Sequence, residues 1–146
     1  MNIKIKRLTE TATIPTKGST GAAGFDLYAD TTMESSPVYP GETKMVSTGI
    51  ALEIPEGYFG AIYARSGLAT KRGLRPANCV GIIDCDYRGE IMVALHNDSP
   101  SPRYIGAHER IAQLVIQPYP NVDFIETENL DDTNRGAGGF GSTGAN

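Results

Sequence analysis

Five short stretches carry residue types that could do chemistry. "YARSGLA" (63–69) puts Arg65 and Ser66 where a strand ends and a helix begins. A helix start offers free N–H donors, so this is either an anion site or a simple serine cap. "GAAGFDLYA" (21–29) carries one acid, Asp26, between Phe25 and Leu27. A buried carboxylate there needs a partner, either an arginine or a metal-bound water. "RIAQL" (110–114) sets Gln113 in an apolar run, where its amide either stitches the core or faces a polar site. "NCVGIIDCDYRGEIMVALHN" (78–97) reads as a β-hairpin with an acidic, aromatic tip, Asp84 and Asp86 serving as turn formers or as reactive carboxylates. The last stretch, "RGAGGFGSTG" (135–144), has five glycines in ten residues, the composition of a flexible end. It also holds what a phosphate clamp needs: amide nests, the fork of Arg135, hydroxyls from Ser142 and Thr143, and a ring, Phe140, able to stack on a base.

The elements that must position these residues are strands. The chain has 146 residues, 40% of them hydrophobic, which suits one domain with a real core. The dominant period is two. Ile3 and Ile5 alternate with lysines; Val46, Thr48, Ile50, Leu52 and Ile54 share one face of a strand-like run; Ile91, Val93 and Leu95 repeat the pattern. "RIAQLVIQ" (110–117) is denser and reads as a strand buried on both faces. Turn clusters separate the runs: "PTKGSTG" (15–21), "YPGE" (39–42), "IPEGY" (54–58) and "DYRGE" (86–90). Many short strands punctuated by Gly and Pro indicate an all-β sandwich, barrel or jelly roll. Only "SGLATKR" (66–72) reads as helix, and Lys71, Arg72 and Arg75 read as a solvated basic face. The acidic piece "ETENLDDTN" (126–134) reads as a linker between the β body and the glycine-rich end.

Charge and cysteine usage narrow the function classes. A net charge of −4 disfavours a nucleic-acid-coating protein, while local arginines can still hold a small anion. Cys79 and Cys85 lack metal-site spacing, and His96 and His108 stand apart, so both thiols read as reduced in a cytosolic protein. No apolar stretch approaches the roughly 20 residues of a membrane span. "MNIKIKRL" alternates, unlike a signal peptide, which points to the cytoplasm.

Taken together and in order, "AGFDLYA", "ARSGLA", "GIIDCDYRGEI", "RIAQL" and "RGAGGFGSTG" resemble the five motifs of the trimeric deoxyuridine triphosphatase (dUTPase) family. The resemblance covers essentially the whole chain. It implies an all-β fold, a distorted jelly roll or β-barrel with one short helix (residues 1–125), and a linker with a flexible glycine-rich C-terminal arm (126–146). It implies a homotrimer with active sites shared between subunits, and Mg²⁺-dependent hydrolysis of dUTP to dUMP and pyrophosphate. By the same resemblance Asp84 binds the sugar 3′-hydroxyl and activates the attacking water. Gln113 and Arg135 complete the catalytic set, and Arg65, Ser66, Gly67, Gln113, Arg135, Ser142 and Thr143 hold the phosphates. Asn78, Gly81, Ile83, Asp84, Tyr87, Met92 and Phe140 surround uracil and deoxyribose, with the Tyr87 ring excluding a ribose. Asp26 lies near a magnesium ion through water, the ion being held mainly by the triphosphate.

Two other functions compete. A dCTP deaminase, on a related trimeric fold, would place a glutamate by the base; here the third stretch carries Asp84 and Tyr87, and the fifth is complete. A non-enzymatic dUTP sensor acting on a partner protein would not need Asp84, Gln113 and Arg135 together. The tail separates a spacer from a clamp: deleting residues 135–146 is expected to leave folded protein that has lost most of its dUTP turnover. Full turnover by that truncation, in a pyrophosphate-release assay, would make the arm a mere tail.

Overall fold

The computed structural model describes residues 1–31 and 37–139. Ten strands and one helix follow in order: β1 (Lys4–Arg7), β2 (Thr16–Lys17), β3 (Phe25–Tyr28), β4 (Thr43–Ser47), β5 (Ile50–Glu53), β6 (Tyr58–Tyr63), α1 (Ser66–Arg72), β7 (Leu74–Pro76), β8 (Gly81–Ile83), β9 (Met92–Asn97) and β10 (Arg110–Pro118). Every strand pair is antiparallel. The strands form a sheet of order β2-β3-β10-β6-β8, a second of order β4-β9-β7, and the pair β1-β5. Side chains from all three sheets, including Leu27, Ile50, Ile62, Leu74, Val93, Leu95, Ile111 and Leu114, meet in one core, to which α1 adds Leu68. This is the all-β class expected from the period-two patterning, and it agrees with the jelly roll that the family resemblance implies. Among the described residues no helix is long and apolar enough to cross a membrane.

Four local expectations change. The run from Val46 to Ile54 keeps its buried face, but it is two strands and not one. Gly49, at φ +66°, takes the left-handed conformation that glycine adopts without steric cost, and the chain passes from the β4 sheet to β5. The expected hairpin at 78–97 is not one: β8 pairs with β6, whereas β9 pairs with β4 and β7. The loop between them crosses between sheets, because its far end is bonded to the β4–β5 turn, with Ile91 N–H donating to Ile50 O (2.9 Å) and Thr48 Oγ1 to Ile91 O (2.5 Å). Strand β10 is central, between β3 and β6, yet buries fully only Ile111, Ala112 and Leu114; Gln113 and Val115 on its other face are half-buried. A bulge between Arg110 and Ala112 makes the two neighbours Ile111 and Ala112 both inward.

The basic face also differs. Lys71 is exposed, but Arg72 pairs with Glu109 and donates to Tyr104 O (2.6 Å), and Arg75 makes two bonds to Asp98 (2.6 and 3.1 Å). Helix α1 stops at Gly73, a left-handed cap (φ +68°) whose N–H bonds Ala69 O. On β1–β5, Lys4 hydrogen-bonds Glu53 at 2.9 Å and holds that carboxyl below its ordinary range. This pair contributes above the usual carboxylate range and is lost as pH falls; its exposure keeps the contribution small. Residues 119–139 form neither strand nor helix, and Phe124, Ile125 and Leu130 along them are 99%, 87% and 86% exposed.

One buried amide ties the loop ends together. Asn97 is fully buried; its Nδ2 donates to Val38 O (2.8 Å) and Ser101 O (2.9 Å), and its Oδ1 accepts from Ser99 N (2.9 Å) and Oγ (2.7 Å). Asn97→Ala leaves these groups without partners and is expected to cost about 2–4 kcal/mol, read by urea denaturation at fixed protein concentration. A loss below about 0.5 kcal/mol would show that the network is dispensable.

Candidate active site

Strand pairing brings the first, second and fourth stretches together. In the β3–β10 register Gln113 lies opposite Asp26, and in the β10–β6 register it lies opposite Tyr63, from which the chain runs into α1. The Asp26 side chain is only 12% exposed. Its Oδ1 accepts from Arg65 Nε at 2.7 Å and its Oδ2 from Arg110 Nη1 at 3.2 Å. Of the two partners the sequence left open, the observed one is arginine. Arg65 is the residue that caps α1 in position, but no side chain bonds the helix start; Ser66 is the first helical residue and is exposed. Gln113 Nε2 donates to Ala64 O (2.8 Å), so its amide both stitches and faces the cleft. Gly24 leaves it room: a Cβ there would stand 2.6 Å from Gln113 Oε1.

These residues line a cleft of about 490 Å³ with Gly24, Asp26, Arg65, Ser66, Gly67, Arg72, Glu109, Arg110 and Gln113 in its wall. Three guanidiniums face two carboxylates, so the cleft carries net positive charge within an acidic chain. Exposed guanidinium edges and hydroxyl donors in such a space suit a polyphosphate. Arg110 and Arg72 were not singled out as site residues. Arg110 opens the fourth stretch, but only the register beside β3 brings it to Asp26.

A second pocket, of about 310 Å³, lies where β8, β9 and β4 approach: Met45, Ile82, Ile83, Asp84, Tyr87, Glu90 and Met92 line it. Four of these, Ile83, Asp84, Tyr87 and Met92, were expected. Met45 arrives from β4, which no local pattern could announce. The Tyr87 phenol donates to Glu90 O (2.9 Å) and Tyr87 N–H to Asp84 O (3.2 Å). Gly89 lies against the ring, since a Cβ there would come within 2.6 Å of Tyr87 Cζ. Gly81 opens β8 and Asn78 stands in the turn three residues before it, both outside this lining; a Cβ on Gly81 would approach Asn78 Nδ2 at 3.4 Å. β8 is the edge strand of its sheet among the described residues. Behind the loop, Cys85 Sγ meets the Tyr119 hydroxyl at 3.7 Å, and that hydrogen bond raises the phenol above its ordinary range.

The two pockets share no lining residue. Arg135 lines neither; its Nε donates to Gly138 O (2.7 Å) on an exposed stretch. Phe140, Ser142 and Thr143 lie outside the described residues. No group of three or more His, Cys, Asp or Glu among the described residues could cage a metal. Both Asp26 oxygens already accept from arginine, though each keeps a second lone pair. That donor set does not suit a protein-built cage; it does suit magnesium that keeps its waters and takes most ligands from phosphate.

Comparison with known proteins places the chain. A dUTPase family profile matches residues 10–144. The deoxyuridine 5′-triphosphate nucleotidohydrolase of Nautilia profundicola is 51% identical over 144 residues, covering 99% of this chain and 99% of that protein. A mutant of the Staphylococcus bacteriophage 80alpha dUTPase, solved with dUpNHpp, superposes with TM-score 0.85 at 27% identity, covering 99% of both chains. A dUTPase mutant from phage phi11 of S. aureus, described with a structural Mg(II) ion, shares the fold at TM-score 0.81 and 23% identity, over 90% of this chain and 100% of that one. With a family profile spanning nearly its whole length and a relative half identical to it from end to end, the chain belongs to the dUTPase family.

Proposed function

We infer that the chain hydrolyses dUTP to dUMP and pyrophosphate, limiting uracil entry into DNA and supplying dUMP for dTMP synthesis. The observation that carries this reading is the cationic cleft of Arg65, Ser66, Gly67, Arg110 and Gln113 in a member of this family. The triphosphate occupies that cleft, with Ser66 near the α–β bridging oxygen and Gly67 admitting close backbone approach. Uracil and deoxyribose occupy the pocket of Ile83, Asp84, Tyr87 and Met92, near Asn78 and Gly81. Asp84 holds the 3′-hydroxyl and takes a proton from the water attacking the α-phosphorus, and Gln113 orients that water or a phosphate oxygen. A carboxylate is a weak base, so this help is worth about 10²–10⁴-fold. The larger share comes from positive charge at the leaving pyrophosphate, from Arg65 and, with the arm closed, Arg135, to which Ser142 and Thr143 add hydroxyl donors. Magnesium, when bound to the triphosphate and reached from Asp26 through water, supplies further charge neutralisation there.

Uracil presents acceptor, donor, acceptor along its pairing edge. The backbone of β8, at a sheet edge among the described residues, and the Asn78 amide can read that pattern, and a cytosine would leave groups covered by the base unpaired. Phe140 covers the base, and the Tyr87 ring excludes a ribose 2′-hydroxyl. Because the phosphate cleft and the base pocket share no lining on one chain, the reading includes a homotrimer in which one subunit's cleft meets another's pocket. The exposed Phe124, Ile125 and Leu130 support assembly, since large apolar groups favour burial against a partner.

Pyrophosphate release from dUTP, dTTP, dCTP and UTP with Mg²⁺ tests the reading: turnover confined to dUTP is expected, and equal rates would remove it. Ammonia from dCTP, with no pyrophosphate from dUTP, would install the deaminase instead. Asp84→Asn is expected to keep dUTP affinity while slowing hydrolysis at least about 10²-fold, and near-normal turnover would refute its role. Gly24→Ala pushes Gln113 off Ala64 O; a drop in kcat of about tenfold or more is expected, with folding unchanged by circular dichroism.

A further inference from the structure

We propose that Glu90 is a positioning residue for the base and sugar pocket: its carboxylate fixes the backbone on which Tyr87 is held, and so sets discrimination against ribose. The proposal rests on the reading of Tyr87 as the ring against the sugar. Tyr87 is 45% exposed, so surrounding packing alone does not orient it. Its orientation rests on the bare face of Gly89 and on one hydrogen bond, from its hydroxyl to Glu90 O (2.9 Å). The position of that carbonyl is therefore the position of the ring.

The carbonyl is anchored from two sides, by the Glu90 side chain and by Ile91 N–H of the same peptide unit. Glu90 Oε1 accepts from Gly49 N–H at 2.8 Å and from the Ser47 hydroxyl. Ser47 ends β4, and Gly49, in a left-handed conformation, lies in the turn between β4 and β5. The next residue is fixed to the same turn, Ile91 N–H bonding Ile50 O and Ile91 O accepting from Thr48. The far end of the 84–91 loop is thus bolted to a turn of the opposite sheet, and Glu90 is the residue that both makes this anchor and carries the carbonyl for Tyr87. It also stands in the pocket wall itself, with Met45, Asp84 and Met92. Removing the carboxylate leaves two donors without their acceptor and loosens the Glu90 carbonyl, which is then held only through Ile91 N–H of the same peptide unit, on Ile50 O. A glutamine keeps an acceptor oxygen in the same place, so charge is not the requirement.

Steady-state kcat and KM on dUTP and UTP, with the full chain, test this in wild type, Glu90→Gln, Glu90→Ala, Tyr87→Phe and the Glu90→Ala/Tyr87→Phe double variant. Glu90→Ala is expected to lower the ratio of kcat/KM for dUTP over UTP by about tenfold, mostly through KM, with Glu90→Gln within about twofold of wild type. Tyr87→Phe is expected to lower the ratio similarly, and the double variant to lose no more than the larger single, because both break one link. A purely structural Glu90 would lower stability, or turnover of both substrates, and leave the ratio unchanged; that result overturns the proposal. Should Glu90→Ala not fold, Tyr87→Phe and Ser47→Ala carry the test, and unchanged ratios in both overturn it. A wild-type chain that cleaves UTP as readily as dUTP sinks the underlying reading as well; a discriminating wild type with an unaltered Glu90→Ala sinks the proposal alone.

Discussion

The interaction on which the rest of the site depends is one carboxylate shared by two guanidiniums. Asp26 receives Arg65 on one oxygen and Arg110 on the other, at 12% exposure. Burying a charge is costly unless it is paired and hydrogen-bonded, and here both oxygens are met. The consequence is geometric. Asp26 is on β3, Arg110 opens β10, and Arg65 ends the connection from β6 into α1. Three segments far apart in sequence are registered on one anion, and the two arginines converge where a polyphosphate would lie. The same pairing leaves the cleft with surplus positive charge in a chain of net −4. Local charge, and not the total, determines what such a protein attracts.

Around that point, small residues matter by what they leave out. Gly24 makes room for the Gln113 amide, and Gly89 for the Tyr87 ring. Gly49 bends the chain from one sheet toward another, and its N–H becomes the anchor for Glu90. In each case the glycine marks close approach or a left-handed backbone, and a candidate site side chain is its neighbour in space. Where the chain was read as a hairpin, the alternation was right but the partner was wrong. Period two states which side chains share a face; it does not state which strand lies alongside. The loop from Asp84 to Ile91 spans two sheets because a hydrogen bond from Thr48 and another to Ile50 O claim its far end. That crossing brings Met45 of β4 opposite Ile83 and Asp84 and makes a pocket where a plain hairpin would make a ribbon.

What the sequence by itself determined was the kind of fold and the residues of interest. Alternation, Gly/Pro turns and one two-turn helix follow from local propensity and burial, and they emerged with β1, β9, β10 and α1 near their expected bounds. Asp26 and Gln113 stood out because charged and amide groups inside apolar runs require a reason, and Arg65 and Ser66 because they stand at a helix start; Asp84 and Tyr87 were marked by the family resemblance. Only the tertiary structure decided who meets whom. It gave Asp26 two arginine partners, added Arg110 and Arg72 to the cleft, and tied Arg72 and Arg75 of the basic face to Glu109 and Asp98. It placed Asp26, Arg65, Ser66, Gly67 and Gln113 in one pocket and Ile83, Asp84, Tyr87 and Met92 in another, and it joined Glu90 to Gly49, 41 residues away. The physical reason is range. Propensity and periodicity act over a few residues, whereas strand register and ion pairing connect positions such as Asp26 and Arg110, 84 residues apart, and no local pattern carries that information.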